Sequence, residues 1–393
     1  MLRSETVLAF CHEVAIGWRK TQVVNLANAV MALLERKTLV LSHLAQELPS
    51  SSRMGREPAL HPLWHKLKRL RRFLSNPRLK TESLFRSFTA LSLTLSDEPG
   101  LRLPILLDIT YLADYSFLVG SVPKHGRTLP IAWDAFRRDL AGEQHASQNS
   151  IIENLVRTVF RNLPEAVEAV LVADREFARA SLFRFVKSLK RHFVIRVDAQ
   201  TWIRHGDYYG ALEGMGLKRG HGPRWLPGAL YGKTEQEPLS ILAIWQDGYA
   251  EPWFLATNLK DADAIFPLYH QRMKIEHEFR DWKHHLRLRN TLIVKRVDLV
   301  KGLLTVIVAL YWLIALFGLR WTDRKHWSQV ACWGRPSFFK TAIDLLMAKG
   351  RQVSDTWRSL KIWLSGQLYA LQPPTPTYLL RYKRNRPWLK QSG

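Results

Sequence analysis

The sequence predicts an α/β core between two helical, basic flanks, and three observations carry that prediction. Two short apolar runs, residues 103–109 and 167–173, have the length and composition of buried strands. Residues 193–203, 239–245 and 253–257 are strand-like as well, through alternation or β-rich composition. Residues 23–35, 63–74, 178–190 and 345–371 instead space their apolar side chains at the helical period.

In chain order, the N-terminal portion reads as helical and separate from the rest. A helix over 23–35 is followed by a second over 38–48, capped by Thr38, and Pro49 with the serines after it breaks the pattern. After Pro62, residues 63–74 place apolar side chains on one face and Lys66, Lys68, Arg69, Arg71 and Arg72 around the remainder, a strongly basic amphipathic helix. Two helices with the second one basic resemble a helix-turn-helix reader, although the intervening loop exceeds the usual three or four residues. A plain three-helix bundle with a solvated basic face is the alternative.

The two buried runs of the core both meet an aspartate. Asp108 interrupts the first near its end, and the second stops at Asp174-Arg175-Glu176-Phe177, where a helical pattern takes over. A carboxylate inside a buried strand needs a partner or a task, and strand ends of α/β sheets are where catalytic side chains collect. The blander reading of each is a turn or cap residue, which aspartate favours. Asp114 is a rival for the first position, but the polar stretch around it fits a turn better. Residues 206–232 are glycine-rich and read as loops. Residues 302–319 are 18 positions without a charge, close to the length that spans a bilayer. A helix buried against the sheet is the expectation for that segment.

The densest chemistry lies at residues 269–283. At about 100° per residue, Tyr269, Arg272, Glu276, Arg280 and Lys283 fall on one stripe of a single helix, so one carboxylate is ringed by cations and a phenol. Such a face can offer a hard oxygen ligand to a metal and charge-assisted donors to phosphate; read alone, it is more simply a solvated helix with one-turn ion pairs. His270, His277 and His284 recur every seven residues, but helical metal ligands sit three or four apart, so surface or DNA-facing roles are expected.

The spacing Tyr269, two residues, Arg272, three residues, Glu276, six residues, Lys283 resembles the Tyr-Arg-Glu-Lys signature of bacterial insertion-sequence transposases with an Asp-Asp-Glu triad. The resemblance extends over roughly residues 35–290 and is firmest from Asp174 to Lys283. It implies a ribonuclease H-like, retroviral-integrase-like catalytic domain, with Asp108, Asp174 and Glu276 as the catalytic, metal-holding triad. It further implies that Tyr269, Arg272 and Lys283 position the element end. Arg280, on the same expected stripe but outside the signature, is expected as a further DNA contact. Relatives carry a β-rich insertion before the Glu helix, and Trp253 is the best match for an aromatic within it that stacks on a flipped base. The division implied is 1–97, a helical DNA-binding domain; 98–200, the first part of the catalytic domain; 201–252, the insertion; 253–319, the second part; and 320–393, a basic helical segment and tail. The cofactor implied is Mg²⁺, with Mn²⁺ as a substitute, since two hard cations on three carboxylates can activate the attacking oxygen and stabilise the leaving one.

Charge agrees with a DNA partner. With 58 Lys and Arg against 34 Asp and Glu the chain carries +24, concentrated in the flanks: residues 1–97 hold 15 basic and 7 acidic side chains, residues 320–393 hold 14 and 3. Fifteen Trp and 11 Tyr interleaved with these cations suit stacking on bases, although most will be core. The expected partners are double-stranded element ends and target DNA, engaged by a homodimer, with no membrane. Two cysteines, Cys11 and Cys332, supply no disulfide framework or zinc spacing, and the N-terminus does not read as a secretory signal, so a reducing cytoplasm is expected, and the resemblance implies a bacterial, nucleoid-associated protein. A decayed copy that binds ends without cutting them, acting as a repressor, is the alternative, and a protein of anionic membrane surfaces is the remaining class.

Overall fold

Ten strands form one mixed sheet, and its order follows from how the first apolar run is flanked. The computed structural model describes residues 4–49, 62–95, 102–139, 147–288, 292–324 and 337–347. Strand β1 (Leu103–Leu112) pairs antiparallel with β2 (Tyr115–Lys124), which pairs antiparallel with β3 (Arg127–Arg137). On its other side β1 lies parallel to β4 (Ala169–Ala173), and β4 parallel to β5 (His192–Val197). Ile105, Leu106 and Leu107 are almost fully buried, as strands covered on both faces must be. The short apolar runs are thus central strands.

Helix α6 (Gln148–Asn162) makes the crossover from β3 to β4, and α7 (Ala180–Ser188) the crossover from β4 to β5. Ser147 caps α6, its side chain accepting from the Ser150 amide. The β2–β3 hairpin turns at His125 and Gly126, both at positive φ, the conformation a two-residue turn needs to match strand twist. The β1–β2 connection is equally tight, through Ala113 and Asp114, so Asp114 does lie in a turn.

The segment between β5 and the Glu helix does not fold into a separate layer. Strands β6 (Trp202–His205), β7 (Tyr208–Ala211), β8 (Arg224–Tyr231) and β9 (Glu237–Ile244) join β10 (Trp253–Thr257) and continue the same sheet, in the order β3-β2-β1-β4-β5-β10-β9-β8-β6-β7. Residues 206–232 therefore hold two strands as well as loops. Their glycines hid the pattern: Gly228 at φ +68 sits in a register shift between Leu226 and Ala229, which breaks the strict alternation of β8. A large mixed sheet covered by helices is consistent with the ribonuclease H-like expectation.

The N-terminal helices α1 (Ser4–Val14), α2 (Lys20–Arg36), α3 (Leu41–Glu47), α4 (Pro62–Leu74) and α5 (Thr81–Thr94) share one hydrophobic core with the sheet. Thr38 does not cap α3; its hydroxyl accepts from the Val40 amide two residues on. These helices meet the sheet through α5, whose Phe85 packs on Trp133 of β3, and through α10 (Val297–Arg324), which packs against α2, α4, β3 and α11 (Phe338–Met347). The stretch Val297–Arg320 is long and apolar enough to cross a bilayer, and its apolar window is wholly buried inside the protein. Its polar side chains stitch it to β3: the indole of Trp312 donates to the Pro130 carbonyl at 2.6 Å, the Tyr311 hydroxyl to the Thr128 carbonyl at 3.0 Å, and Trp133 to Thr305 at 3.2 Å. Phe88 of α5 stacks on Trp312 with centroids 4.8 Å apart. The helical pattern expected for 345–371 falls beyond Met347 for most of its length, and it lies with the basic tail and Cys332 outside the described residues.

Gly302 and Gly318 explain how α10 is approached so closely. A β-carbon at Gly302 would stand 2.3 Å from the Leu74 carbonyl oxygen, and one at Gly318 2.4 Å from that of Phe338. Glycine costs a helix interior about 1 kcal/mol relative to alanine, so the close crossing is what it provides. Replacing Gly302 by Ala is expected to destabilise the protein by about 1–3 kcal/mol, because backbone and not a flexible side chain has to move. Urea unfolding of G302A beside an Ala→Gly change elsewhere on α10 measures this, and an unchanged midpoint for G302A would refute the close-packing account.

Candidate active site

Strand register brings the first two carboxylates together. Leu107 is the parallel partner of Ala173, so the next residue on each chain, Asp108 and Asp174, stands on neighbouring strands at the same end of the sheet. Adjacent strands are about 4.8 Å apart. Asp174 accepts from the Glu176 amide at 2.9 Å and so also caps the single turn Arg175–Phe177, the blander role allowed for it. Asp108 is nearly buried and accepts from the Ile109 amide at 2.8 Å.

The third carboxylate arrives on α9 (Met273–Arg280), which follows α8 (Ile265–His270) and packs across β1, β2 and β3. Arg272, at the junction of the two helices, donates to Glu276 at 2.7 Å and to Asp108 at 3.3 Å. One guanidinium therefore bridges carboxylates 168 positions apart in the chain. Burial pushes the Asp108 carboxyl up to about 7; Arg272 opposes that shift, and the charges of Asp174 and Glu276 add to it. Asp174 lies within electrostatic reach of Tyr269 and Arg272 too.

Tyr269, Arg272, Glu276, Arg280 and Lys283 do not share one helical stripe. Arg272 and Ile275 make three-residue turns to Tyr269 and Arg272, and beyond Arg280 the chain widens into a π-turn, Asp281–His285, closed by the Leu286 amide on the Asp281 carbonyl. A π-turn adds a residue to the helical ring and rotates the side chains beyond it. Tyr269 is consequently buried against the sheet, Arg272 and Glu276 face Asp108, Arg280 is exposed and acts on Asp281, and Lys283 is half-buried in the π-turn. Trp253 stands beside Tyr269, their rings edge to face at 5.3 Å, with the Arg196 guanidinium over its indole at 5.4 Å. On the basic helix, Lys68, Arg71 and Arg72 are exposed, whereas Lys66 and Arg69 are partly buried and donate to the carbonyls of Gln46 and Pro49. The three histidines diverge: His277 meets Gly126 and Arg127, while His270 and His284 are exposed.

A second acidic pair, missed in the sequence, anchors α9. Glu278 is completely buried, and its carboxyl accepts from Ser121 of β2 at 2.9 Å and from Thr128 of β3. Asp281, equally buried, pairs with Arg127 at 2.9 Å. Burial pushes Glu278 up to about 8 and Asp281 to about 7, the latter against the pull of Arg127. Both fall on the buried side of the helix, so an Ile275/Phe279 apolar seam with two acids inside it was the only available sign.

The carboxylates suit a divalent ion in kind, being hard oxygen donors around a site whose own charge repulsion favours a cation. Among the described residues, no three acidic, His or Cys groups stand close enough to hold a metal together. Arg272 already pairs with Asp108 and Glu276, the groups such a cation would compete for.

Residues 137–312 match the model of the transposase DDE domain. That match supports a DDE-type transposase. Asp174, Tyr269, Arg272, Glu276 and Lys283 fall within it; Asp108 precedes it, and its membership of the site rests on strand register and on Arg272. No curated protein matches the chain significantly.

This geometry has two measurable consequences. Replacing Arg272 with Gln should strengthen Mn²⁺ binding by the protein without DNA, measured calorimetrically, since a competing cation is removed; weaker binding would contradict the bridge. For Glu278, a folded-state pKa raised from 4.5 to about 8 means that the native state keeps a proton the unfolded chain loses. Its contribution to stability should decline as pH rises from about 4.5 to about 8 and be flat beyond. Wild type should therefore lose stability relative to E278Q between pH 6 and pH 9 in urea titrations, and parallel profiles would exclude a protonated Glu278.

Proposed function

We propose that the protein is an insertion-sequence transposase that cleaves the ends of its element to free 3′-hydroxyls and joins them to target DNA. The observation that supports this reading most is that Asp108 and Asp174 end neighbouring parallel strands while Arg272 links Asp108 to Glu276. Asp108, Asp174 and Glu276 would hold the Mg²⁺ ions, which when bound activate the attacking oxygen and stabilise the leaving one. The remaining work belongs to the chain. Arg272 keeps Asp108 and Glu276 charge-balanced in the absence of substrate and turns to a phosphate oxygen of the end when DNA enters. Burial of Asp108 and Tyr269 excludes bulk water on the sheet side of the site, which strengthens every charge interaction there. Trp253, seated on Tyr269 and backed by Arg196, offers its indole to a base displaced from the end.

The basic helix α4 contributes backbone grip through Lys68, Arg71 and Arg72, with Lys66 and Arg69 partly committed to holding α3. Two copies acting on paired ends, on the bacterial nucleoid, complete the proposal.

The test is a cleavage and joining assay with labelled DNA bordering the coding sequence. Wild type should nick the element boundary only when Mg²⁺ or Mn²⁺ is supplied, and EDTA should stop it. D108N, D174N and E276Q should each fall to background while retaining end binding in mobility-shift assays. Full cleavage by any of the three would remove that residue from the triad; end binding without cleavage by wild type would favour the repressor reading.

A further inference from the structure

Tyr111 lies on β1 three residues beyond Asp108, yet its ring is 40% exposed, one of the few large side chains left so open among the described residues. It is nevertheless held in place. Its hydroxyl donates to Glu176 at 3.0 Å, and the Glu176 amide donates to Asp174 at 2.9 Å, so two hydrogen bonds connect the ring to the second carboxylate of the triad. The exposed guanidinium of Arg138, just after β3, stands 4.5 Å from the ring centroid. Arg138 is itself fixed through its backbone amide, which donates to the Asp114 carbonyl at 3.0 Å. An oriented aromatic ring and an arginine plane, open to solvent beside the carboxylates, thus form a feature that core packing does not require.

We propose that Tyr111 and Arg138 form a stacking platform for an unpaired nucleotide at the mouth of the carboxylate site. The inference rests on the transposase reading and adds a DNA contact on the side of the site away from Trp253. In the sheet, β1 and β10 flank β4 and β5, so Tyr111 and Trp253 approach Asp174 from opposite sides, and the odd offset from Asp108 turns Tyr111 to the other face of β1. A strand whose phosphate is drawn over the end of β4 to Asp174 passes the Tyr111 ring, and a nucleotide beside that phosphate meets it. Every base has a π-face, so the platform is tolerant of sequence, while Arg138 offers its charge to the adjoining phosphate. The ligand class is accordingly DNA with locally unpaired bases, as at a frayed or nicked end.

Fluorescence anisotropy of the full-length protein, in Ca²⁺ to hold back cleavage, tests this with a blunt duplex and a forked duplex carrying 2-aminopurine in its unpaired arm. Wild type should prefer the forked duplex and quench the 2-aminopurine. Y111A should lose about tenfold in affinity for the forked duplex, the loss of one base stack, with blunt-duplex affinity unchanged. Y111F and Y111W keep a ring but not the hydroxyl, and should retain both the preference and the quenching. If Y111F lost as much as Y111A, the residue would serve to orient Glu176 and the platform would be overturned. Equal binding of the two duplexes by wild type, or an unaffected Y111A, would overturn it as well. In either case metal-dependent cleavage by wild type and its loss in D174N would still stand, so failure of the platform is distinct from failure of the transposase reading.

Discussion

Parallel pairing of β1 with β4 is the constraint on which the rest of the site depends. Parallel strands require a crossover of a dozen or more residues, and here that crossover is β2, β3 and α6, so Asp108 and Asp174 reach the same sheet end although 66 positions separate them. A slip of one residue in that register would turn one carboxylate to the opposite face of the sheet. The apolar side chains of both strands prevent it, because they are buried on both faces and leave no equivalent alternative.

Glu276 depends on a second constraint, the docking of α9. Three polar contacts from β2 and β3 reach its buried side: Ser121 and Thr128 to Glu278, and Arg127 to Asp281. Buried acids are costly unless they are satisfied or neutral, and here burial favours the neutral form of Glu278 while Asp281 is paired with Arg127. Such groups tie α9 to a particular height on the sheet, which apolar packing alone leaves looser. Behind them α10 closes the core, so α9, the sheet and the N-terminal helices share a single hydrophobic interior. The +24 charge is left to surfaces such as that of α4, where Lys68, Arg71 and Arg72 remain open to solvent.

Arg272 unites the two constraints. Its contacts with Asp108 and Glu276 offset the mutual repulsion of these carboxylates, and a cation or a phosphate would compete for the same groups. A bridge of this kind makes the carboxylate cluster stable at rest and sensitive to what enters it.

Much of this was legible in the chain. Apolar runs ended by Asp108 and Asp174 marked the strands, because burial on both faces leaves an uninterrupted apolar string and an acid stands out in it. The basic face of α4 and the helical residues of α2 and α7 were read from periodicity. The Tyr-Arg-Glu-Lys spacing marked the third carboxylate and matters more than the helical wheel drawn from it, since the wheel assumed an unbroken helix. A three-residue turn at Arg272 and a π-turn after Arg280 cannot be read from residue types, because they arise from fitting Asp281 and Trp282 into the core. Strands β2, β3, β7 and β8 escaped for related reasons: the first two are buried on both faces and contain Gly120, Pro123 and Pro130, and the others lie among glycines. The amino-acid sequence by itself thus determined which side chains could carry charge, ligate or bind phosphate, through composition and spacing. Only the tertiary structure decided that Arg272 spans Asp108 and Glu276, that Glu278 and Asp281 lie buried, and that Tyr111 stands open beside them, because contacts between distant segments depend on register and packing that no local pattern encodes.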